Sequence, residues 1–204
     1  MKFKAKRFLG IFLSFALMLG LTPWTTITAE AAVNFSNASL YIGNSEKITS
    51  SGVVSNETTG ATAGSATVST EDNSIVLSLE NFVYSGKGYV NEPESESYSG
   101  AIYYTSSSNY PLIIELTGNN YITVTGDFGS SLPEYFYITG IHSYENLTIR
   151  GEGTLTITFA ENQKYSRGIS VWANNINIQS GTINITTPSS AKVDRSHMVY
   201  AQIH

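Results

Sequence analysis

Two aromatic residues, Tyr144 and Trp172, occupy equivalent places in neighbouring copies of a repeat in the second half of the chain. Aromatic rings stack on the flat faces of pyranose sugars, and hydroxyl or imidazole groups beside them can hydrogen-bond sugar hydroxyls. His142 lies two residues before Tyr144, and Tyr103 holds the place of His142 in an earlier copy. We therefore predict a carbohydrate-binding surface made of Tyr144, Trp172, Tyr103 and His142. Alternatively, Tyr144 and Trp172 pack beneath a loop at residues 127–137 and only stabilise it.

Arg150 is a further candidate ligand-binding residue, because its planar guanidinium can grip the carboxylate of a calcium-bound uronate. The repeat places Arg150 diagonally opposite Glu115 on a neighbouring strand. A solvated ion pair between these two residues explains them without any ligand, and we favour that interpretation.

For catalysis the sequence offers few residues. A lyase acting on acidic sugars needs a basic residue beside the substrate and clustered carboxylates to hold calcium. The basic residues of the repeats are Arg150, Lys164 and Arg167, and the acidic residues on the connections are dispersed. The sequence contains no zinc motif, nucleophile elbow or phosphate-binding loop. We assign no catalytic residue and no metal ligand.

The elements that must position these side chains come from an internal repeat. Residues 140–144, 147–149 and 153–158 recur, in order, at 168–172, 176–178 and 181–186. A more diverged copy lies upstream at residues 101–104, 114–116 and 121–125, and an insertion around 127–137 separates it from the next copy. A partial first copy is visible at 75–79 and 82–84. Each copy holds three short strands with period-two alternation and too few apolar residues to close a core alone.

Stacked copies of this kind predict an all-β fold, a right-handed parallel β-helix whose inward residues pile on inward residues. An antiparallel β-sandwich is the competing architecture. The predicted domains are an N-terminal cap or linker at 32–70 and a β-helix at 71–204. Since 197–201 matches the place of 167–171, we expect an incomplete last coil, which implies self-association through the open end or a longer parent protein.

Alternation also predicts which side chains share an outward column. The first strands give two columns: Tyr103, His142, Ser170 and Tyr200, then Thr105, Tyr144, Trp172 and Gln202. The second strands give Glu115, Thr148 and Asn177, then Thr117, Arg150 and Gln179. The third strands give Thr123, Thr156 and Asn184, then Thr125, Thr158 and Thr186. Thr148 should therefore lie beside Asn177, and Thr156 beside Asn184.

The first residues predict export. Four basic residues at 2–7 precede an apolar run at 8–21 and an Ala-x-Ala cleavage signal at 29–31. This is a secretory signal peptide of Gram-positive type, and its apolar run is shorter than the ~18–20 residues of a retained membrane anchor. We expect a protein that is extracellular or at the cell surface, with no membrane contact after cleavage.

Charge and cysteine content restrict the partners. The full sequence has a formal net charge of −5, and cleavage removes four basic residues and one acidic one, so the mature chain is more acidic. Nucleic acid and anionic lipid are therefore disfavoured, whereas a neutral glycan is not repelled. The sequence has no cysteine, so a long regular core must replace disulfides as the source of stability.

Residues 146–157 (Asn-Leu-Thr-Ile-Arg-Gly-Glu-Gly-Thr-Leu-Thr-Ile), followed by 167–171, resemble the repeat of a bacterial family of carbohydrate-binding domain-containing surface proteins. Residues 79–89 and 100–104 resemble its opening coils, so the resemblance covers about 75–186. It implies a right-handed parallel β-helix, binding of plant-type polysaccharide including pectic acid, calcium in some members, and a distant likeness to pectate lyases. None of the family's calcium ligands matches a position here.

Three functions are consistent with these observations. The first is noncatalytic polysaccharide binding, indicated by export, the aromatic column and the resemblance. The second is a pectate-lyase-like activity using Arg150 or Arg167, and the third is a structural adhesin or spacer. We predict the first.

Overall fold

Most of the described chain forms short strands, because β-branched and aromatic residues alternate with polar ones between turns of Gly, Asn and Ser. The computed structural model describes residues 33–91, 97–126, 136–160, 166–173, 175–188 and 197–201, and the predicted signal peptide lies outside these ranges. The strands are β1 (Ala38–Ile42), β2 (Gly52–Val54), β3 (Ala61–Glu71), β4 (Ser74–Gly86), β5 (Tyr89–Asn91), β6 (Ser97–Ser106), β7 (Leu112–Thr117), β8 (Asn119–Val124), β9 (Phe136–Ser143), β10 (Leu147–Gly151), β11 (Thr154–Phe159), β12 (Ser166–Val171), β13 (Ile176–Ile178), β14 (Thr182–Thr186) and β15 (His197–Ala201).

The helical content of the described residues is small. A 3-10 turn spans Phe35–Asn37, and α1 spans Asn56–Thr59. The Ser55 side chain caps α1 by accepting a hydrogen bond from the Thr58 N–H, and Gly60 ends it in the left-handed conformation. No helix within the described ranges is long and apolar enough to cross a membrane. The predicted all-β class is confirmed.

Within the described ranges, the repeated strands pair in parallel along three ladders. One ladder joins β6, β9, β12 and β15, a second joins the first half of β4 to β7, β10 and β13, and a third joins the second half of β4 to β8, β11 and β14. Strand β4 belongs to two ladders and changes direction near Asn81, which has a positive φ of 49°. The second and third ladders therefore form one curled sheet of parallel strands.

The strand register predicted for the two most similar copies is confirmed. Thr148 pairs with Asn177, and Thr156 pairs with Asn184, both in parallel. Residues 147–150 and 154–158 belong to different ladders, so they do not form the antiparallel hairpin that a sandwich would have required. The partial first copy is confirmed as well, since Ile75 pairs with Leu112.

The register predicted for the diverged copy is wrong by two residues. Arg150 pairs directly with Glu115 instead of diagonally, and Thr148 pairs with Ile113. On the third ladder, Thr156 pairs with Tyr121 instead of Thr123. A shift of two residues leaves every inward side chain inward, so the apolar pattern does not distinguish the two registers.

The segment expected to be an N-terminal cap or linker forms strands that pair with the repeats in the antiparallel direction. β1 runs along β6 through Ala38–Ile42, and β3 runs along β4 through most of its eleven residues. Ala66 and Val68 of β3 are buried in the main core. These strands occupy the free edges of β6 and β4, where unpaired N–H and C=O groups would otherwise remain.

The core consists of columns of inward residues that stack from strand to strand. One column contains Leu77, Ile114 and Ile149, which are fully buried, and ends at Ile178, which is 48% exposed. Asn120 is the polar member of the core at the bend between the second and third ladders. Its side chain accepts a hydrogen bond from the Phe82 N–H at 2.9 Å and donates to the carbonyls of Thr117 and Thr154, each at 3.2 Å. These bonds tie neighbouring repeats together.

Candidate functional site

A row of aromatic rings crosses the outer face of the first ladder. We define the aromatic ridge as Tyr41, Tyr89, Tyr103, Tyr144 and Trp172. Successive ring centroids are 3.7 Å (Tyr41 to Tyr89), 4.9 Å (Tyr89 to Tyr103), 6.0 Å (Tyr103 to Tyr144) and 5.7 Å (Tyr144 to Trp172) apart. The rings come from five segments of the chain and run across the strands.

Alternation within each strand places the ridge on the outer face. In β1, Leu40 and Ile42 are buried in the core, so Tyr41 between them points to the other side. In β6, Ile102 and Tyr104 face the core in the same way, and Tyr103 points outward. The parallel pairing of β6 with β9 then brings His142 beside Tyr103.

Tyr89 reaches the ridge through a tight backbone approach. The turn after β4 folds β5 back in the antiparallel direction on β6, pairing Tyr89 with Gly100. Gly88 has a positive φ of 71°, and a Cβ atom there would collide with the carbonyl of Gly100. Glycine at position 88 is therefore needed to seat Tyr89 against the ridge.

Tyr103 and His142 share an outward column, as predicted, but both side chains are buried. Tyr103 is 4% exposed and His142 is 0% exposed. The His142 ring lies between Tyr98, at 4.4 Å, and Tyr103, at 5.4 Å, and the edge of Tyr144 contacts it at 4.9 Å. Large rings one strand spacing apart cover each other, so the middle of the column is buried although it points away from the core.

The other members of the ridge are more accessible. Tyr144 and Trp172 are partly exposed, as are Tyr41 and Tyr89. The expected neighbouring position of Tyr144 and Trp172 is confirmed, although their rings are tilted by 42° and do not stack flat. The backbone of Tyr200 pairs with Ser170, as predicted. Gln202 and the loop at 127–135 lie outside the described residues.

Burial shifts the pKa values of Tyr103 and His142. It raises the pKa of the Tyr103 hydroxyl well above its usual value, and the nearby Tyr144 hydroxyl adds to this shift. The Tyr103 hydroxyl also accepts a hydrogen bond from the Asn91 amide at 2.9 Å. Burial, with a smaller contribution from the Arg167 charge, lowers the pKa of His142 to about 3. Tyr103 and His142 are therefore neutral near pH 7.

His142 is not placed to act as a catalytic base on a molecule in solvent. Its two ring nitrogens have no hydrogen-bond partner among the described residues, and neither has the hydroxyl of its buried strand partner Ser170. Arg167 is also buried and lies 3.7 Å from the centroid of the Tyr137 ring, in a cation–π contact. The interior of the ridge is thus an aromatic and polar support for Tyr144 and Trp172.

Arg150, the further candidate for ligand binding, lies on the second ladder, as predicted, and not on the ridge. It lies on β10, where its Nη1 and Nη2 atoms bond the Glu71 carboxylate at 2.9 and 2.6 Å and its Nε atom bonds Glu115 at 3.1 Å. The Ser78 hydroxyl donates to the same Glu115 carboxylate at 3.0 Å. These bonds lower the pKa of Glu71 and raise that of Arg150. The ion pair that we favoured for Arg150 and Glu115 is confirmed, with Glu71 as a second partner.

Tyr41, Tyr89 and Tyr98 belong to the site although the repeat did not indicate them. Tyr41 could have been found from the alternation of Ala38–Ile42, which makes it the outward aromatic of a strand. The turn Gly86-Lys87-Gly88 before Tyr89 is a chain-reversal signal. For Tyr98 we find no local sequence signal.

The His, Asp and Glu side chains of the described residues were considered as metal ligands. No group of three or more His, Asp or Glu side chains within the described ranges is arranged to hold a metal ion.

A comparison of the chain with protein-family models, curated proteins and solved structures finds no match.

Proposed function

We propose that this chain is a secreted parallel β-helix protein that binds polysaccharide without cleaving it, through the aromatic ridge. The observation that carries this proposal is the unbroken series of ring contacts across neighbouring strands, which ends in the partly exposed rings of Tyr144 and Trp172. Export is supported by the basic and apolar pattern of residues 2–31.

The strand pairing supports the β-helix. Each of the three full copies contributes one strand to each of the three parallel ladders described above, which is the arrangement of a solenoid built from three-strand coils. Connections between parallel strands of one sheet are almost always right-handed, so we expect the right-handed form.

The dimensions of the ridge favour a chain of sugars over a single sugar. From β1 to β12 the ridge crosses three steps between neighbouring strands, or about 14 Å at ~4.8 Å per step. Tyr144 and Trp172 would stack on sugar faces, while the buried Tyr103 and His142 hold the Tyr144 ring from behind. A support of buried rings limits rotation of the binding side chains, which lowers the entropy lost on binding.

The ridge is better suited to binding than to catalysis. The basic residues considered for a lyase are engaged elsewhere, Arg150 by Glu71 and Glu115 and Arg167 by the Tyr137 ring. His142 is buried and neutral. The third function, a spacer without a ligand, provides no role for partly exposed aromatic rings on the outer face.

Retention of the purified protein on a panel of immobilised neutral and acidic polysaccharides, with and without calcium, tests the function. We expect retention without release of unsaturated products. Release of unsaturated uronate would indicate a lyase, and absence of retention on every polysaccharide would contradict the proposal.

Substitution of Trp172 by alanine tests the site. We expect polysaccharide binding to weaken by about 1–3 kcal/mol, since a large aromatic contact is lost, with a much smaller change in the free energy of unfolding. If Trp172 instead packs beneath a loop, Trp172→Ala should lower that free energy by about 3–5 kcal/mol and leave the affinity of the folded protein unchanged. Tyr144→Ala should behave as Trp172→Ala does. Tyr110→Ala, which removes a partly exposed tyrosine outside the ridge, is the control.

A further inference from the structure

The outer face of the third ladder has a composition different from that of the ridge. Its outward side chains form three columns on the second half of β4 and on β8, β11 and β14. We call this surface the threonine face, and its columns are Asn119, Thr154 and Thr182, then Val83, Tyr121, Thr156 and Asn184, then Ser85, Thr123, Thr158 and Thr186.

The threonine face carries no charged side chain in these columns, although the protein as a whole is acidic. The outer faces of the other two ladders do carry charge, with Arg150 and Glu115 on one and Arg167 on the other. A neutral molecule could lie on the threonine face without removing water from an ion. An anionic or cationic partner would find no opposite charge there.

Tyr121 lies near the middle of this face and is 46% exposed. Among the tyrosines whose side chains the structure describes, Tyr121 is the most exposed. Its strand neighbours are Val83 on one side and Thr156 on the other, and Asn184 follows Thr156 in the same column. A ring so placed offers a flat apolar surface bordered by hydroxyl and amide groups.

Two hydroxyl groups in the column next to this ring hydrogen-bond each other. The Oγ1 atoms of Thr158 and Thr123 lie 3.0 Å apart and hydrogen-bond each other along the stack. A hydroxyl has one donor hydrogen and two acceptor lone pairs, so each can bond its neighbour and a ligand at the same time. The column spacing of ~4.8 Å repeats along the face, as the hydroxyls of a sugar chain repeat along the chain.

We propose that the threonine face is a second docking surface, which takes a neutral polysaccharide chain with Tyr121 as its stacking platform. The proposal rests on the proposed function in the class of ligand, but it concerns a different face and different residues. A second copy of the protein fits this surface less well. Interfaces between protein copies are enriched in several large apolar groups and in arginine, whereas this face has one exposed ring among small polar side chains.

Affinity electrophoresis of the purified chain tests the proposal, with hydroxyethylcellulose and galactomannan as neutral probes and polygalacturonate as the acidic probe. Tyr121→Ala should weaken binding to a neutral probe by about five- to twentyfold. Thr156→Val keeps the branched shape and removes the hydroxyl beside Tyr121, and it should weaken binding about two- to fivefold. Thr148→Val, the same change at a partly exposed threonine of β10, should have no effect. Urea unfolding of each variant verifies that it is folded.

A second measurement locates the ligand directly. Tetranitromethane nitrates accessible tyrosines, and mass spectrometry of the peptides reports nitration at Tyr121. A neutral probe present in excess should lower the nitration of Tyr121 severalfold, whereas polygalacturonate should not.

The outcomes separate this proposal from the proposed function. If Tyr121→Ala binds the neutral probes as tightly as the wild-type chain does, while Trp172→Ala binds them more weakly, the threonine face is not a docking surface. The ridge then remains the proposed binding site. Weakened binding of Tyr121→Ala alone would support the threonine face. Concentration-dependent dimerisation of the unliganded chain that Tyr121→Ala abolishes would show that a second copy occupies the face, and would overturn the proposal. If neither neutral probe retards the wild-type chain, the threonine face fails as a docking surface, and the ridge is then judged by the wider polysaccharide panel.

Discussion

Replacing His142 by phenylalanine should remove a large part of the acid sensitivity of the fold. In the folded protein His142 is fully buried and its pKa is about 3, whereas the ordinary value is 6.5. Between these values the unfolded chain binds a proton that the folded chain does not bind. The stability that depends on neutral His142 is therefore fully present above about pH 6.5 and is lost as the pH falls toward 3.

The size of the effect follows from the two pKa values. Protonation of His142 in the unfolded chain lowers the free energy of unfolding by ~2 kcal/mol at pH 5, and by nearly ~5 kcal/mol below pH 3. The aromatic slot between Tyr98 and Tyr103 accepts a planar ring, so we expect His142→Phe to fold. Because it has no titrating nitrogen, its stability should change less with pH.

Urea unfolding of the wild-type chain and of His142→Phe at pH 7, 6, 5 and 4 measures this difference. The wild-type free energy of unfolding should fall by ~2 kcal/mol more than that of the variant between pH 7 and 5. Burial raises the pKa of Glu145, which makes a contribution of opposite sign, but that contribution is present in both proteins and cancels in the comparison. His197→Gln is the control for loss of a histidine elsewhere in the chain. Parallel pH profiles for wild type and His142→Phe would refute the reasoning.

Two further substitutions test the construction of the fold. Asn120→Ala should lower the free energy of unfolding by about 2–3 kcal/mol in urea unfolding, because it removes three hydrogen bonds and leaves the buried Phe82 N–H without its partner. Asn119→Ala, at the exposed neighbouring residue, should change that free energy by less than about 0.5 kcal/mol. Gly151→Ala should lower the free energy of unfolding by more than about 2 kcal/mol, because φ is +104° and the added Cβ would collide with a backbone carbonyl of β7. Gly52→Ala is the control, since φ is also positive there but no atom lies near the added Cβ, and it should lower the free energy of unfolding less. Equal losses for the two variants would contradict the collision.

The sequence by itself was sufficient to predict which strands face each other in the two similar copies. Residues 147–149 pair with 176–178, and 153–158 lie along 181–186, because each copy must bury its apolar residues on those of the next. The inward positions of Ile102, Ile141 and Ile169 were predictable for the same reason. Where the copies have diverged, alternation gives the same inward pattern for registers two residues apart. Arg150 was therefore predicted to lie opposite Thr117, whereas it pairs with Glu115.

The tertiary structure decided which of the outward residues are accessible. Tyr41 and Tyr89 come from strands outside the repeat, and they fold back on β6 in the antiparallel direction to cover Tyr103. The partner of Arg150, Glu71, comes from β3 and lies 79 positions away along the chain. A repeat pattern describes only contacts between its own copies. Contacts made by segments outside it depend on where the chain returns in space, so the burial of Tyr103 and His142 could not be predicted from alternation alone.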